Sequence, residues 1–230
     1  MPIPTSFSEG SSDGVLLKLF QLCSANLPVG AYSFSQGLEY AIESAWIKSA
    51  DDVEQWLELQ LHHSLARVDL PVLLRIYQAL ENKDEGQLIY WNDYLLSCRE
   101  SKELRLGDTA TGEALGRLLL QLDVPLCSGL QDASFVTLFA QAAEHWQCSV
   151  HQCALGLAWS WLENQVMAAT KIVSLGQTRA QQLNITLSQQ KPTAIEFAKN
   201  LNDDELGACL PSLAIASMQH ETLYSRLFRS

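Results

Sequence analysis

The chain has 230 residues, of which 47% are hydrophobic and 18% charged, which fits a globular protein with a sizeable core and excludes a disordered or collagen-like chain. Its net charge of −11 and the lack of a basic stripe in the sequence argue against nucleic acid or an anionic membrane as the main partner. The chain starts without a secretory signal pattern and holds no apolar run long enough to span a bilayer, so we expect a cytoplasmic protein.

The six cysteines are spread along the chain without a CxxC pair, and most of them lie among apolar residues. This pattern is typical of reduced, buried thiols and argues against a disulfide framework.

The N-terminal third of the sequence predicts a mobile segment, then a helix, then a turn between two helices. Residues 1–12 are rich in Pro, Ser and Gly and are predicted to form a mobile tail, while residues 13–230 are predicted to form one helical domain. A largely buried helix is expected from Asp13. It ends in the run Leu-Pro-Val-Gly-Ala-Tyr-Ser-Phe-Ser-Gln-Gly-Leu-Glu, residues 27–39, because Pro28 removes a backbone donor and disfavours the α conformation before it.

Residues 27–39, named the corner from here on, combine turn signals with two aromatic side chains. Ser33 and Ser35 are good N-cap residues, so the next helix is predicted from Ser35 to Ala45. Tyr32 and Phe34 lie in or beside the turn, where small polar residues are usual. They either fold back onto the core or form a partner site, and the residues taken alone favour the first interpretation.

The remainder of the chain reads as helices separated by polar breaks. Ser49 and Asp52 form a weak capping box, and apolar residues then recur at three- and four-residue steps up to Val68. Pro71 is expected to kink this helix or to start a new one. Further helical patterns cover residues 72–80, 88–95, 103–122, 133–147, 149–173, 177–200 and the segment from Pro211 to the C-terminus, with the clearest loop at 123–132. The prediction is an all-α, single-domain bundle of roughly ten helices.

No catalytic set is found in the sequence. Residues 33–37, Ser-Phe-Ser-Gln-Gly, lack the first glycine of a nucleophile elbow, and no strand precedes them, which argues against a serine hydrolase. His220-Glu-Thr-Leu-Tyr224 has a tyrosine where a His-Glu-x-x-His zinc site needs its second histidine, so a His–Glu pair on a helix surface is expected. His145, Cys148 and His151 are weak metal candidates, because their spacing departs from the usual zinc patterns.

The C-terminus carries an apolar pair, Leu227 and Phe228, between Arg226 and Arg229. Chain ends are normally polar, so this pair is either packed into the core or offered to a partner, for which aromatic residues and arginine are typical anchors. The residues alone therefore indicate a helical binding or scaffold protein and not an enzyme.

Four motifs, in order along the chain, resemble the UreF family of urease accessory proteins. They are the corner, Arg99-Glu-x-x-Glu-Leu-Arg105, Lys171-Ile-Val-Ser-Leu-Gly-Gln-Thr178 with Gln181, and Met218-Gln-His-Glu-Thr-Leu-Tyr-Ser-Arg-Leu-Phe-Arg-Ser230. Ser174 stands where the family often has proline, and Ala180 where glycine is common. The two departures concern the local shape of that loop.

The resemblance implies an all-α homodimer that bridges UreD, also called UreH, and the GTPase UreG, and so delivers nickel to apo-urease. Nickel would be the cargo of the complex, and no resident cofactor or catalytic centre is implied. The UreD/UreH side would comprise Tyr32, Ser33, Phe34, Glu221, Tyr224, Arg226, Leu227, Phe228 and Arg229. Lys171, Gly176 and Gln177 would shape a loop near the dimer or the UreG side.

Three hypotheses follow from these observations. In the first, the adaptor binds one nucleotide state of UreG better than the other and thereby couples GTP hydrolysis to nickel release. In the second, the protein is a metallochaperone that binds nickel itself through His145, Cys148 and His151. The third, an uncharacterised helical enzyme, has no nucleophile–base pair in its favour. If the final helix packs beside the corner, the two would form one surface.

Overall fold

The computed structural model describes residues 12–173, 175–207 and 210–229. Within these ranges the chain is helical and has no β-strand, so the predicted all-α bundle of roughly ten helices is confirmed. The α-helices are α1 (Ser12–Cys23), α2 (Leu38–Glu43), α3 (Ala50–Gln60), α4 (Leu70–Glu81), α5 (Glu85–Ser97), α6 (Lys102–Gln121), α7 (Phe135–His145), α8 (Val150–Ile172), α9 (Gln177–Ser188), α10 (Lys191–Lys199) and α11 (Pro211–His220). Short 3-10 turns occupy Ala31–Ser33 and Asp203–Glu205. The predicted mobile tail lies outside the described residues, apart from Ser12, which begins α1.

Serine residues start several of these helices as their sequence positions suggest. The Ser49 hydroxyl accepts the Asp52 N–H at 3.2 Å while the Asp52 carboxylate accepts the Ser49 N–H at 2.9 Å, which completes the capping box of α3. Ser149 and Gln152 form the same reciprocal pair at the start of α8. The predicted boundaries of α3 and α8 are therefore confirmed.

Two hydrophobic cores lie along the bundle, and α8 contributes to both. Its first half, including Cys153 and Leu157, packs in a first core with α1, α4, α5, α6, α7 and α10. Its second half, including Leu162 and Val166, packs in a second core with α2, α3, α9 and α11. This explains why α8 is apolar nearly all round and confirms its central position.

One continuous helix joins the two cores through a π-helical stretch. Between α3 and α4 the residues Leu61–Asp69 form π-helix, so residues 50–81 are helical without a break. Pro71, expected to kink the helix or to start a new one, lies where the π-helix returns to α. Pro71 has no N–H to donate to the Arg67 carbonyl, as an α-helical residue at this position would, and that oxygen accepts the N–H of Gly207 at 3.3 Å.

Three predicted boundaries or environments are wrong. Helix α1 buries only the stripe Leu19, Leu22 and Cys23 and is not largely buried. Residues 177–200 form two helices, because Pro192 in the first turn of α10 favours a new helix start there. The last helix ends at His220 and does not continue to the C-terminus.

The described cysteines Cys23, Cys98, Cys127, Cys148 and Cys153 are all free, as predicted, and Cys23, Cys148 and Cys153 are buried. Burial raises the pKa of Cys23 to about 12, which keeps its thiol protonated. The helices in the described ranges include none that is long and apolar enough to cross a membrane.

Candidate docking surface

The corner is a tight turn built on two glycines in the left-handed region. Gly30, with φ of 72°, precedes the 3-10 turn, and Gly37, with φ of 80°, precedes α2. Helix α2 therefore starts at Leu38 and ends at Glu43, so the predicted N-cap roles of Ser33 and Ser35 are wrong. Phe34 and Ser35 are buried, whereas Tyr32 is more than half exposed.

The corner lies directly against the last helix, α11. A Cβ atom added to Gly37 would lie 3.0 Å from the Cβ of Ala216 and 3.0 Å from the backbone nitrogen of Ser217. Only a glycine allows this approach without a shift of one of the two elements. The condition stated from the sequence, that the final helix packs beside the corner, is met.

His220, at the end of α11, is fully buried between two carboxylates. Its Nε2 lies 2.8 Å from Glu39 Oε2 at the start of α2, and its Nδ1 lies 2.8 Å from Glu103 Oε2 in the first turn of α6. The side chain of His220 is 0% exposed. The prediction of a His–Glu pair on a helix surface is wrong, since the imidazole pairs with glutamates that are distant in sequence.

The chain after α11, residues 221–229, is named the tail, and it turns back over α2. The backbone N–H groups of Leu227 and Phe228 donate to the two oxygens of Glu39 at 2.6 and 3.0 Å. Arg226 donates to Glu103 Oε1 at 3.0 Å, and the N–H of Arg229 donates to the Ser33 carbonyl at 2.8 Å. Glu39 and Glu103 therefore hold both His220 and the tail.

Cations and aromatic rings complete the junction between corner and tail. The Lys171 ammonium lies 5.3 Å from the ring centre of Tyr32 and 5.6 Å from that of Phe228. The Arg229 guanidinium lies 5.6 Å from the ring centre of Phe34. All three distances are within the range of cation–π attraction. Lys171, assigned from the resemblance to a different side, thus lies among the residues assigned to UreD/UreH.

The tail is anchored by one side chain and exposes most of the others. Phe228 is buried and belongs to the second core. The exposed tail side chains are those of Glu221, Thr222, Tyr224, Ser225, Arg226, Leu227 and Arg229, with Leu227 65% exposed. These side chains and Tyr32 are named the corner–tail surface. The bond from Arg229 to Ser33 and the contacts of Lys171 with Tyr32 and Phe228 join its two parts.

Gly176 and Gln177 lie at the start of α9, and both are exposed. Ala180, where the family commonly has glycine, lies within α9 and is buried in the second core, a position that suits a small helix-favouring side chain. Ser174 lies outside the described residues.

The motif at residues 99–105 is explained by buried ion pairs beneath this surface. Arg99 lies 2.6 Å from Asp69 and 2.8 Å from Asp108, with all three side chains largely buried. Burial alone lowers the pKa of Arg99, but the two carboxylates outweigh it and raise that pKa above its usual range. Asp108 also accepts the N–H of Phe135 at 2.8 Å, so the pair fixes α6 against the start of α7.

The weak metal candidates are not brought into one site. His145 ends α7 and is exposed, and His151 on α8 is exposed as well. Cys148 between them is fully buried, and burial raises the pKa of its thiol, which opposes the thiolate form that a metal needs. The part of the chain that the structure describes has no group of three or more His, Cys, Asp or Glu side chains placed to hold a metal ion.

Sequence reasoning missed the roles of Glu39, Glu103 and His220. Each residue lies in one of the motifs that carry the family resemblance, but their side chains meet across as many as 181 positions of the sequence. Residue spacing could not show which of them pair.

Fold and surface together define a class of protein. It is an all-α bundle whose C-terminal tail is held against the corner by buried charged residues. Residues 47–188, more than half of the chain, match the UreF family model. The chain belongs to the UreF family of urease accessory proteins.

Relatives match along nearly their whole length. A protein of Marinomonas sp. (strain MWYL1), named urease accessory protein UreF, is 54% identical over 222 residues, with 96% of each chain covered. Proteins with the same name from Alkalilimnicola ehrlichii and Pseudomonas putida (strain GB-1) are 46% and 44% identical. These alignments cover 93% and 96% of this chain, and 95% and 100% of the two relatives.

Proposed function

We propose that this protein is a non-catalytic adaptor in the maturation of urease, acting in the cytoplasm to help deliver nickel to apo-urease. The names of its relatives support a role as a urease accessory protein. The observation that carries the adaptor role is the corner–tail surface, where exposed aromatic, apolar and arginine side chains adjoin a tail whose backbone is held by the buried Glu39. Nickel is the cargo of the assembly in this proposal and not a resident cofactor.

The corner–tail surface is proposed to bind UreD/UreH. Tyr32, Tyr224 and Leu227 offer apolar contact area, and Arg226 and Arg229 border them, a composition that is common in interface cores. Because hydrogen bonds to Glu39 already fix the backbone at residues 227 and 228, less conformational entropy is lost when a partner binds there. A tail that is already held in place therefore binds UreD/UreH more tightly than one that must first become ordered.

UreG is proposed to contact the neighbouring region around Lys171, Gly176 and Gln177, in a complex whose adaptor is a homodimer. The position of Lys171 over Tyr32 supports adjacent binding regions for the two partners. By binding one nucleotide state of UreG more tightly, the adaptor shifts the GTPase by that difference in affinity and no more. Nickel release would then be coupled to GTP hydrolysis.

The first test is co-purification of UreD/UreH with variants of exposed residues. Leu227→Asp and Tyr32→Ser should each weaken capture about tenfold or more, because they alter anchors without disturbing a core. Ile185→Asp is the matched control, since Ile185 on α9 is 62% exposed and Leu227 is 65% exposed. Capture by Leu227→Asp equal to that by the control would refute the assignment of this surface.

Deleting residues 225–230 is a less specific test than these point variants. Phe228 fills part of the second core, so its removal also leaves a cavity and destabilises the fold. The deletion is therefore informative only with a circular-dichroism measurement of retained helix.

The second test addresses UreG. In a preformed complex with UreD/UreH, Gln177→Glu should reduce UreG recruitment and change the rate of GTP hydrolysis, while UreD/UreH capture stays at the wild-type level. Gln87→Glu is the control, because it is the same substitution at an exposed position in the first turn of another helix, α5. Unchanged recruitment by Gln177→Glu would place the UreG contact elsewhere.

A further inference from the structure

The four charged groups at the base of the tail form a closed hydrogen-bonded set. Glu39 accepts from His220 and from the N–H groups of Leu227 and Phe228, while Glu103 accepts from His220 and Arg226. Every group facing the two glutamates is thus a donor. Glu39 and Glu103 are largely buried, with side chains 8% and 5% exposed, so these donors replace solvent.

This arrangement places a carboxylate acceptor on each side of the imidazole. A neutral imidazole donates from one ring nitrogen only, yet both nitrogens of His220 lie 2.8 Å from a carboxylate oxygen. Two facing acceptors without a proton between them would repel each other, so a hydrogen is required on each side of the ring. With an imidazolium, the charges of Glu39, Glu103, His220 and Arg226 sum to zero, which is the condition under which burial of so many charges is tolerated.

We propose that His220 is the positioning residue of the tail: its imidazolium ties α2 to α6 and neutralises the two carboxylates that hold Arg226, Leu227 and Phe228. The position of the tail follows from the geometry, whereas its consequence for partner binding rests on the proposed function. Without the imidazolium, Glu39 and Glu103 face each other across the site of the ring. Within this set of four groups, only the Arg226 guanidinium then balances the charges of the two carboxylates. Their mutual repulsion then loosens the backbone bonds that place the corner–tail surface.

The wild-type protein allows a direct test of the protonation. In the protein labelled with 15N-histidine at neutral pH, His220 should show two protonated ring nitrogens with slowly exchanging protons. The resonance is assigned by its loss in His220→Gln. A spectrum of a neutral tautomer for His220 would overturn the proposal, and this test needs only the folded wild type.

The position of the tail is tested by amide hydrogen exchange read by mass spectrometry. In His220→Gln, the amide side chain can satisfy only one of the two carboxylates, so exchange in the peptide covering residues 221–229 should rise about tenfold or more. Exchange across α5 should remain at the wild-type rate. His63→Gln, at an exposed histidine, is the matched control and should leave the tail unchanged. A parallel rise in α5 would show general destabilisation and overturn the positioning role.

His220→Lys tests the charge by rescue, since it returns one cation to the two carboxylates. It should recover at least part of the tail protection that His220→Gln loses, and a lysine variant no better than the glutamine variant would contradict the role of the charge. Capture of UreD/UreH separates the two proposals. If the tail of His220→Gln is released while capture is retained, the positioning role stands and the docking role of the tail is wrong.

Discussion

Gly112→Ala should destabilise the fold strongly, although alanine is the better helix former. Gly112 lies in the middle of α6, where α6 crosses the start of α7. An added Cβ would lie 2.1 Å from the Ala133 carbonyl oxygen, 2.9 Å from the Ser134 carbonyl carbon and 3.0 Å from the Phe135 nitrogen. All three are backbone atoms, so no side chain can rotate out of the way and the two helices must separate.

The magnitude follows from three contributions. Alanine gains about 1 kcal/mol in helix propensity over glycine. Overpacking costs about 1–3 kcal/mol or more, and separation of α6 from α7 also strains the 2.8 Å bond from the Phe135 N–H to Asp108, a charged bond of about 1.5–3 kcal/mol. The net expectation is a loss of about 3 kcal/mol in the free energy of unfolding.

Urea unfolding followed by circular dichroism measures this loss, with Gly116→Ala as the matched control. Gly116 lies one turn further along α6, but the nearest atom to its added Cβ is the terminal Cδ1 of Leu138 at 3.1 Å, which can move. The control should therefore stay within about 1 kcal/mol of the wild type. A Gly112→Ala protein as stable as the control would refute the close approach of α6 and α7.

Three further substitutions test individual contacts. Burial lowers the pKa of Lys191 from 10.5 to about 8, so between these pH values the unfolded chain binds more protons than the folded one. The free energy of unfolding of the wild type therefore rises by up to roughly 3 kcal/mol as the pH increases through this range. Lys191→Met should lose this rise in urea unfolding measured from pH 7.5 to 10. Arg99→Met leaves Asp69 and Asp108 buried without their cation and should cost about 3–5 kcal/mol, whereas an unchanged unfolding midpoint would contradict the buried triad. In Gly86→Ala, in the first turn of α5, the added Cβ would lie 3.4 Å from Asp84 Oδ1, an ordinary contact distance, so the substitution should stabilise by about 0.5–1 kcal/mol. A lower thermal midpoint would show that the turn needs glycine.

The sequence was sufficient for the fold class and for most helix starts, because these depend on neighbouring residues. Apolar periodicity located α3 and α8, and the serine caps at Ser49 and Ser149 located their first turns. Local rules failed at His220, where tertiary contacts decide. Both ring nitrogens of His220 pair with glutamates that are distant in sequence.

The candidate surface was predictable in its parts but not in its assembly. The aromatic residues of the corner and the arginines of the tail were each unusual for their positions, and this irregularity is readable in the sequence. The sequence does not show that Lys171 joins them, because its contacts depend on how the end of α8 meets the turn at Tyr32. Lys171, which the family resemblance assigned to another side, contacts both the corner and the tail.

The π-helical stretch at residues 61–69 has a consequence for insertions and deletions. It lies where a single rod passes from the second core, through Val53 and Leu57, to the first, through Leu73 and Ile76. Each residue of an α-helix advances the side-chain direction by about 100°. A π-helix turns less per residue than an α-helix, so the wider turns here absorb additional chain length between the two cores. Removing one residue would let the rod regain ordinary α-helical bonding while the apolar stripe of α4 stays close to its present direction. The two cores thus tolerate a one-residue deletion in a stretch that looks, in sequence, like ordinary helix.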